Sequence, residues 1–176
     1  IDAYVDTERR ARLSAVADTA LRRMARDVRA ALPNSLRVSV SGGVTYLEYV
    51  PSLGAGRYRQ QLNSVSAGDI LDFTQADSSA AVLGPVPVYS SGNSLVVFNL
   101  DPGTPSDVYA GNNRAALSSS NASAALISTD AAPHILNFSS KLFPMPSPAA
   151  RFHIVSTPVT YECNPATGVL RRHSGY

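Results

Sequence analysis

Residues 2–32 read DAYVDTERRARLSAVADTALRRMARDVRAAL and stop against Pro33-Asn34-Ser35. The run holds neither glycine nor proline and is rich in alanine, arginine and leucine, which predicts one long helix. Its apolar positions Leu13, Val16, Ala17, Ala20, Leu21, Met24, Val28, Ala31 and Leu32 step by three and four, so they form a single stripe expected to lie buried against a partner surface. The stripe begins only at Leu13. Before it, Tyr4 and Val5 stand among Asp2, Asp6, Glu8, Arg9, Arg10 and Arg12, so this first third is expected to project. A rod of this length spans roughly 46 Å, more than the ~30 Å width of a small domain. Acid precedes base by four residues in Asp6/Arg10, Glu8/Arg12 and Asp18/Arg22, pairs that each support a helix by about 0.2–0.5 kcal/mol. These charges read either as a solvated face or as partners for a neighbouring helix in an assembly.

After Pro33 the period changes from 3.6 to 2. Leu36-Arg37-Val38-Ser39-Val40 alternates, Ser41-Gly42-Gly43 turns the chain, and Val44 to Val50 returns, a hairpin signature. A second hairpin lies at the other end. Phe152 to Glu162 is β-branched and aromatic, Asn164-Pro165-Ala166-Thr167-Gly168 turns it, and Val169-Leu170-Arg171-Arg172 runs back. Shorter strand candidates are Arg57 to Leu62, Ile70 to Phe73, Val86 to Tyr89, Leu95 to Asn99 and Ile135 to Ser139. No second helix is long enough for repeated crossovers, so antiparallel pairing is expected. The expected fold class is α+β: a long N-terminal amphipathic helix packed on an antiparallel β-sheet, in one domain over residues 1–176, with the helix in 1–32 and a β-rich head in 36–176.

The 176 residues carry 15 Lys and Arg against 13 Asp and Glu, a net charge of +2, and the surplus of two arginines sits on the helix. That balance excludes a strongly basic nucleic-acid binder. Cys163 stands alone, so no intramolecular disulfide forms and a cysteine zinc site lacks ligands. His134, His153 and His173 lack a metal-binding spacing, and neither Asp69, Asp72 and Asp77 nor Asp101 and Asp107 follows a calcium-loop pattern. There is no G-x-S-x-G elbow, and Gly42-Gly43 and Gly54-Ala55-Gly56 lack phosphate-loop spacing. No catalytic residue, metal, cofactor or small-molecule substrate is therefore expected. No run of 18 apolar residues occurs within the chain. In the long loop from Asp101 to Asn113, Tyr109 with Asn112, Asn113 and Arg114 has the aromatic-plus-amide chemistry that sugars favour, although loops of this composition are usually only solvated.

Two stretches, TALRRMARDVRAALPNS from Thr19 to Ser35 and PVTYECNPATGVL from Pro158 to Leu170, resemble the MshO-type minor pilins of the mannose-sensitive haemagglutinin (MSHA) pilus biogenesis system. Those proteins are in turn similar to the J-type minor pseudopilins of type II secretion. Weaker similarity extends over Tyr46 to Arg59 and Asp69 to Pro87. The resemblance implies a pilin-like fold and a non-enzymatic role in initiating, assembling or tipping a type IV pilus, or, as the alternative, in a secretion pseudopilus or as a carbohydrate-binding pilus tip. It further implies an inner-membrane anchor formed by an apolar half-helix preceding Ile1, a periplasmic head, and other pilin-like subunits as partners. On this reading Ile1 to Arg12 leaves the filament core, Tyr4, Asp6, Glu8, Arg9, Arg10 and Arg12 contact adjacent subunits, and the stripe from Leu13 to Leu32 is buried on the sheet.

Overall fold

The computed structural model describes residues 2–176, with side chains from Tyr4 onward. Ile1, the start of the segment expected to leave a filament core, lies outside the described residues. The helix α1 (Asp2–Arg29) runs 28 residues, about 42 Å, and carries Arg26 and Arg29 in its last turn, where cations complement the helix dipole. It ends three residues before the expected stop, because the residue before a proline disfavours the helical region. Leu32 N–H donates to Val50 O (2.8 Å) and Ser52 N–H to Ala30 O (3.0 Å), so the departing chain pairs with a strand. Asn34 then takes a left-handed φ of 60°, and its Nδ2 donates to Asn99 O at 3.1 Å.

Among the described residues eleven strands follow: β1 (Arg37–Ser41), β2 (Val44–Tyr49), β3 (Ser52–Tyr58), β4 (Asp77–Pro85), β5 (Ser94–Val97), β6 (Arg114–Ala116), β7 (Ile127–Ser128), β8 (Ile135–Lys141), β9 (Arg151–Val155), β10 (Val159–Asn164) and β11 (Val169–Ser174). The first and last hairpins join into a four-stranded sheet, β1-β2-β10-β11, with every neighbour antiparallel. Gly42 and Gly43 both have positive φ, 56° and 78°, the backbone that a two-residue hairpin turn with matching twist requires. The larger sheet runs β6-β5-β9-β3-β4-β7, and β8 pairs with β4. A bridge between Leu117 and Phe138, with Ser118 N–H donating to Asn137 O (2.9 Å), brings the end of β6 onto β8. The ring β6-β5-β9-β3-β4-β8 thereby nearly closes on itself.

Here the expected fold class is corrected. The chain is mostly β, and its principal sheet is a nearly closed antiparallel barrel rather than one sheet with a helix packed on it. The reason is where the apolar side chains converge. Tyr58, Val82, Leu95, Leu136, Phe138, Phe143, Phe152 and Ile154 form one core inside the ring, with no contribution from α1. A smaller cluster of Leu32, Val50, Val96, Val108 and Val155 seals the junction where β2 runs into β3 and β9 toward β10.

The helix stripe is corrected as well. Only its last turns dock: Met24 of the helix and Ala31 just beyond it pack with Leu47 of β2 around Tyr49, Val159 and Tyr161 on one face of the four-stranded sheet. Leu13 is 69% exposed, Val16 62% and Leu21 62%, so this part of the stripe is not covered by the body; Val16 only lines an open groove beside Leu170. Leu13→Ala and Leu21→Ala are therefore expected to leave the unfolding free energy of the isolated chain within about 0.5 kcal/mol in urea titration. Buried leucines would lose about 2–5 kcal/mol, and a loss of that size would place the stripe on the body after all.

Candidate functional site

Tyr4, Asp6, Glu8, Arg9, Arg10 and Arg12 all lie exposed on the projecting part of α1. Two of the spacing-predicted pairs form, Asp6 with Arg10 at 3.0 Å and Asp18 with Arg22 at 2.9 Å, both in solvent, where such pairs contribute at most about 1 kcal/mol. Among the described residues Glu8 and Arg12 form no ion pair. The projecting segment thus offers charge and apolar surface together, with little of either engaged within the chain.

The joint between helix and body is polar and was not marked in the sequence. Asp27 Oδ2 accepts from Tyr161 Oη (2.7 Å), Tyr49 Oη (2.9 Å) and Arg172 Nε (3.3 Å). The two tyrosine rings lie nearly parallel with centroids 6.4 Å apart, so the hydroxyls converge on one carboxylate from β2 and β10. Burial pushes the Asp27 carboxyl upward, but the hydrogen bonds from Tyr161, Tyr49 and Arg172 outweigh it and hold the carboxyl below its ordinary value. Tyr49 is pushed up to about 12, first by burial and then by the carboxylate it serves. One signal was available in sequence: Asp27 follows Met24 by three and Ala20 by seven, which sets a carboxylate on the apolar stripe, where it needs donors.

Beside this joint a groove of about 550 Å³ runs between α1 and the β10–β11 hairpin. Its floor is Ala15, Val16, Ala20 and Leu170, Tyr161 closes its inner end, and Arg12, Arg23, Arg171 and Arg172 stand around it. Among the described residues no acidic side chain lines it. Arg172 is paired with Asp27 at 3.3 Å and Arg171 with Glu162 at 3.3 Å, whereas Arg12 and Arg23 form no ion pair among the described residues.

The candidate sugar-binding loop is engaged internally. Tyr109 donates its hydroxyl to Ser35 O (2.7 Å), and the Arg37 guanidinium covers its ring 3.7 Å from the centroid. Asn112 Oδ1 accepts from Asp107 N–H (2.7 Å), Asn113 is fully buried with its Nδ2 donating to Asn99 Oδ1 (3.1 Å), and Arg114 belongs to β6, opposite Val96. These groups hold the loop onto the junction between the two sheets.

The outer face of the four-stranded sheet carries a network of charges. Arg37 pairs with Glu48, which also accepts from Tyr176 Oη (3.0 Å), and Glu162 meets His173 at 2.8 Å as well as Arg171. His134 bonds Tyr89 Oη (2.8 Å) and His153 bonds Ser52 Oγ (3.3 Å), and burial lowers the pKa of both imidazoles. Among the described residues no three His, Cys, Asp or Glu side chains come together as metal ligands, and no helix is long and apolar enough to cross a membrane. Compared with protein-family models, with curated proteins and with solved structures, the chain matches none of them.

Proposed function

We propose that this chain is a non-catalytic assembly subunit of the minor-pilin type, acting in an MSHA-type type IV pilus, with α1 as the element that packs against other pilin-like subunits. One observation carries the reading: on a 28-residue helix, Leu13, Val16 and Leu21 are 69%, 62% and 62% exposed, left uncovered by the rest of the chain. An exposed apolar stripe along one helix suits a surface made for another chain. The flanking charges of Asp6, Glu8, Arg9, Arg10 and Arg12 would set the register of such packing. Exposed pairs are worth about 0–1 kcal/mol each, so they select a neighbour more than they drive association. The head would stand in the periplasm, tethered to the inner membrane before assembly.

Reading the gene upstream of Ile1 tests this directly. The expected result is a short basic leader, a peptidase site and about 20 apolar residues, the length a membrane-spanning helix needs, running straight into α1. An ordinary cleavable secretion signal or a soluble domain in that position would overturn the assignment.

A further inference from the structure

The groove beside α1 combines two properties that select its occupant. Its floor is apolar and built largely from small side chains, Ala15, Ala20 and Val16 with Leu170, so a second helix can approach closely. Arg12 and Arg23 mark its two ends on the helix, eleven residues apart and hence about 16 Å along the axis, or three turns. On the hairpin side Arg172 is already neutralised by Asp27 and Arg171 by Glu162, which leaves Arg12 and Arg23 as the charges available to a partner. With no acidic side chain in the lining among the described residues, a basic or neutral polar segment would meet either repulsion or desolvation without return.

We propose that this groove docks an amphipathic helix from a different subunit, one whose apolar stripe is bordered by Asp and Glu spaced to meet Arg12 and Arg23. The proposal rests on the assembly reading and deepens it by naming the partner's chemistry and the site it occupies. A second copy of this chain is a poor occupant, since the groove-facing side of its own helix presents Arg12 and Arg23 again.

The test uses the 176-residue chain and two labelled designed 18-residue helices that share a Leu/Ala stripe, one flanked by Glu and its twin by Lys, followed by fluorescence anisotropy at low salt. The Glu-flanked helix is expected to bind at least tenfold more tightly than its twin. Arg12→Glu with Arg23→Glu should weaken it at least tenfold, and Ala15→Phe, which fills the exposed floor without touching the core, should do the same. Arg57→Glu with Arg151→Glu makes the same change in net charge on exposed positions of β3 and β9, and should leave binding within twofold. Equal binding of the two helices, equal loss from both arginine pairs, or no binding would each overturn the proposal. So would binding only to anionic lipid vesicles, or only a concentration-dependent self-association by light scattering. The two readings fail separately. A membrane-helix leader upstream with no peptide binding removes the groove assignment and leaves the assembly subunit. Peptide binding without such a leader leaves a helix-docking groove in a different kind of complex.

Discussion

Asp27→Ala is expected to lower the unfolding free energy by about 2–3 kcal/mol, measured by urea titration at neutral pH. The substitution removes the acceptor shared by the Tyr49 and Tyr161 hydroxyls, whose residues are 2% and 4% exposed, and a buried donor left without a partner costs about 1–3 kcal/mol. The Arg172 pair adds little, since both its side chains reach solvent and water screens them. Asp27→Asn keeps one carbonyl oxygen for the hydroxyls and is expected to lose about 1 kcal/mol, the difference between a charged and a neutral acceptor. The pH dependence has a definite sign. Because the folded carboxyl titrates below its ordinary 3.8, its contribution is fully present above that value and is lost as pH falls through the folded value. On the alkaline side the raised Tyr49 works in the opposite sense, its contribution being present below pH 10 and lost as pH rises toward about 12. Asp27→Asn should therefore flatten this part of the acid limb. If Asp27→Ala unfolds at the same urea concentration as the parent, the tyrosines are hydrated and the helix is held by Met24, Ala31 and the backbone pairs at Leu32 and Ser52 alone.

What could be read from the sequence follows the range over which each signal acts. The β1–β2 and β10–β11 hairpins were legible because their pattern and their turns are local: alternating side chains on both arms, and Gly42-Gly43 or Asn164 to Gly168 between them. The segment Phe152 to Glu162 reads as one strand but is two. Pro158 cannot donate to a ladder, and at Ser156-Thr157-Pro158 the chain passes from the barrel to the smaller sheet, so β9 and β10 have different neighbours although both are rich in β-branched and aromatic residues. Strand β4 was missed because Asp77 to Pro85 is made of small residues, and Ala80, Ala81 and Val82 are buried in succession instead of alternating. Conversely, Ile70 to Phe73 and Val86 to Tyr89 look like strands and are irregular chain. Leu71 and Val86 are buried in the barrel core, but their N–H groups go to Arg59 O and Leu126 O outside any named strand pairing. Barrel closure itself depends on Leu117 meeting Phe138, a long-range pairing that periodicity does not encode.

The helix shows the same boundary from the other side. Its existence, length and stripe were all legible from residues 2–32, because helix formation is local. The surface that covers the stripe was not, since a stripe made for the protein's own sheet and a stripe made for another chain have the same 3.6-residue period. Val16 and Ala20 face Leu170 of β11 across an open groove, and Leu13 is not among the residues that line it. The candidate interaction surface was visible in part, as the charges from Asp6 to Arg12. Its other wall, Leu170 to Arg172, came into view only when β11 was placed beside the helix. Tyr109 shows the same limit in a loop: its hydroxyl bonds Ser35 O and its ring lies under the Arg37 guanidinium, contacts with residues far away in sequence that the loop's own composition does not encode.

Phe152→Ala carries the largest expected effect, a loss of about 3–5 kcal/mol of unfolding free energy. Phe152 is fully buried at the centre of the barrel wall, opposite Gly56 of β3 on one side and Val97 of β5 on the other. At about 2–4 °C per kcal/mol for a chain of this size, the melting temperature should fall by about 6–20 °C. The ring is seated by a glycine. A Cβ built on Gly56 would lie 2.6 Å from Phe152 Cζ and 2.9 Å from Cε1, closer than non-bonded carbons approach. Alanine at this position would gain about 0.4–1 kcal/mol by restricting the unfolded chain, but driving a fully buried ring from its seat costs about 1–3 kcal/mol, so Gly56→Ala is expected to destabilise on balance. The decisive variant combines Gly56→Ala with Phe152→Leu. Leucine has no atoms where the ring tip lay, so the added methyl meets space instead of carbon, and the double variant should be no less stable than Phe152→Leu alone. That outcome amounts to a coupling between the two positions at least as large as the loss measured for Gly56→Ala alone, as expected for side chains in direct contact. Losses that simply add would mean that the ring is held by its other neighbours and that Gly56 is kept for a reason unrelated to Phe152.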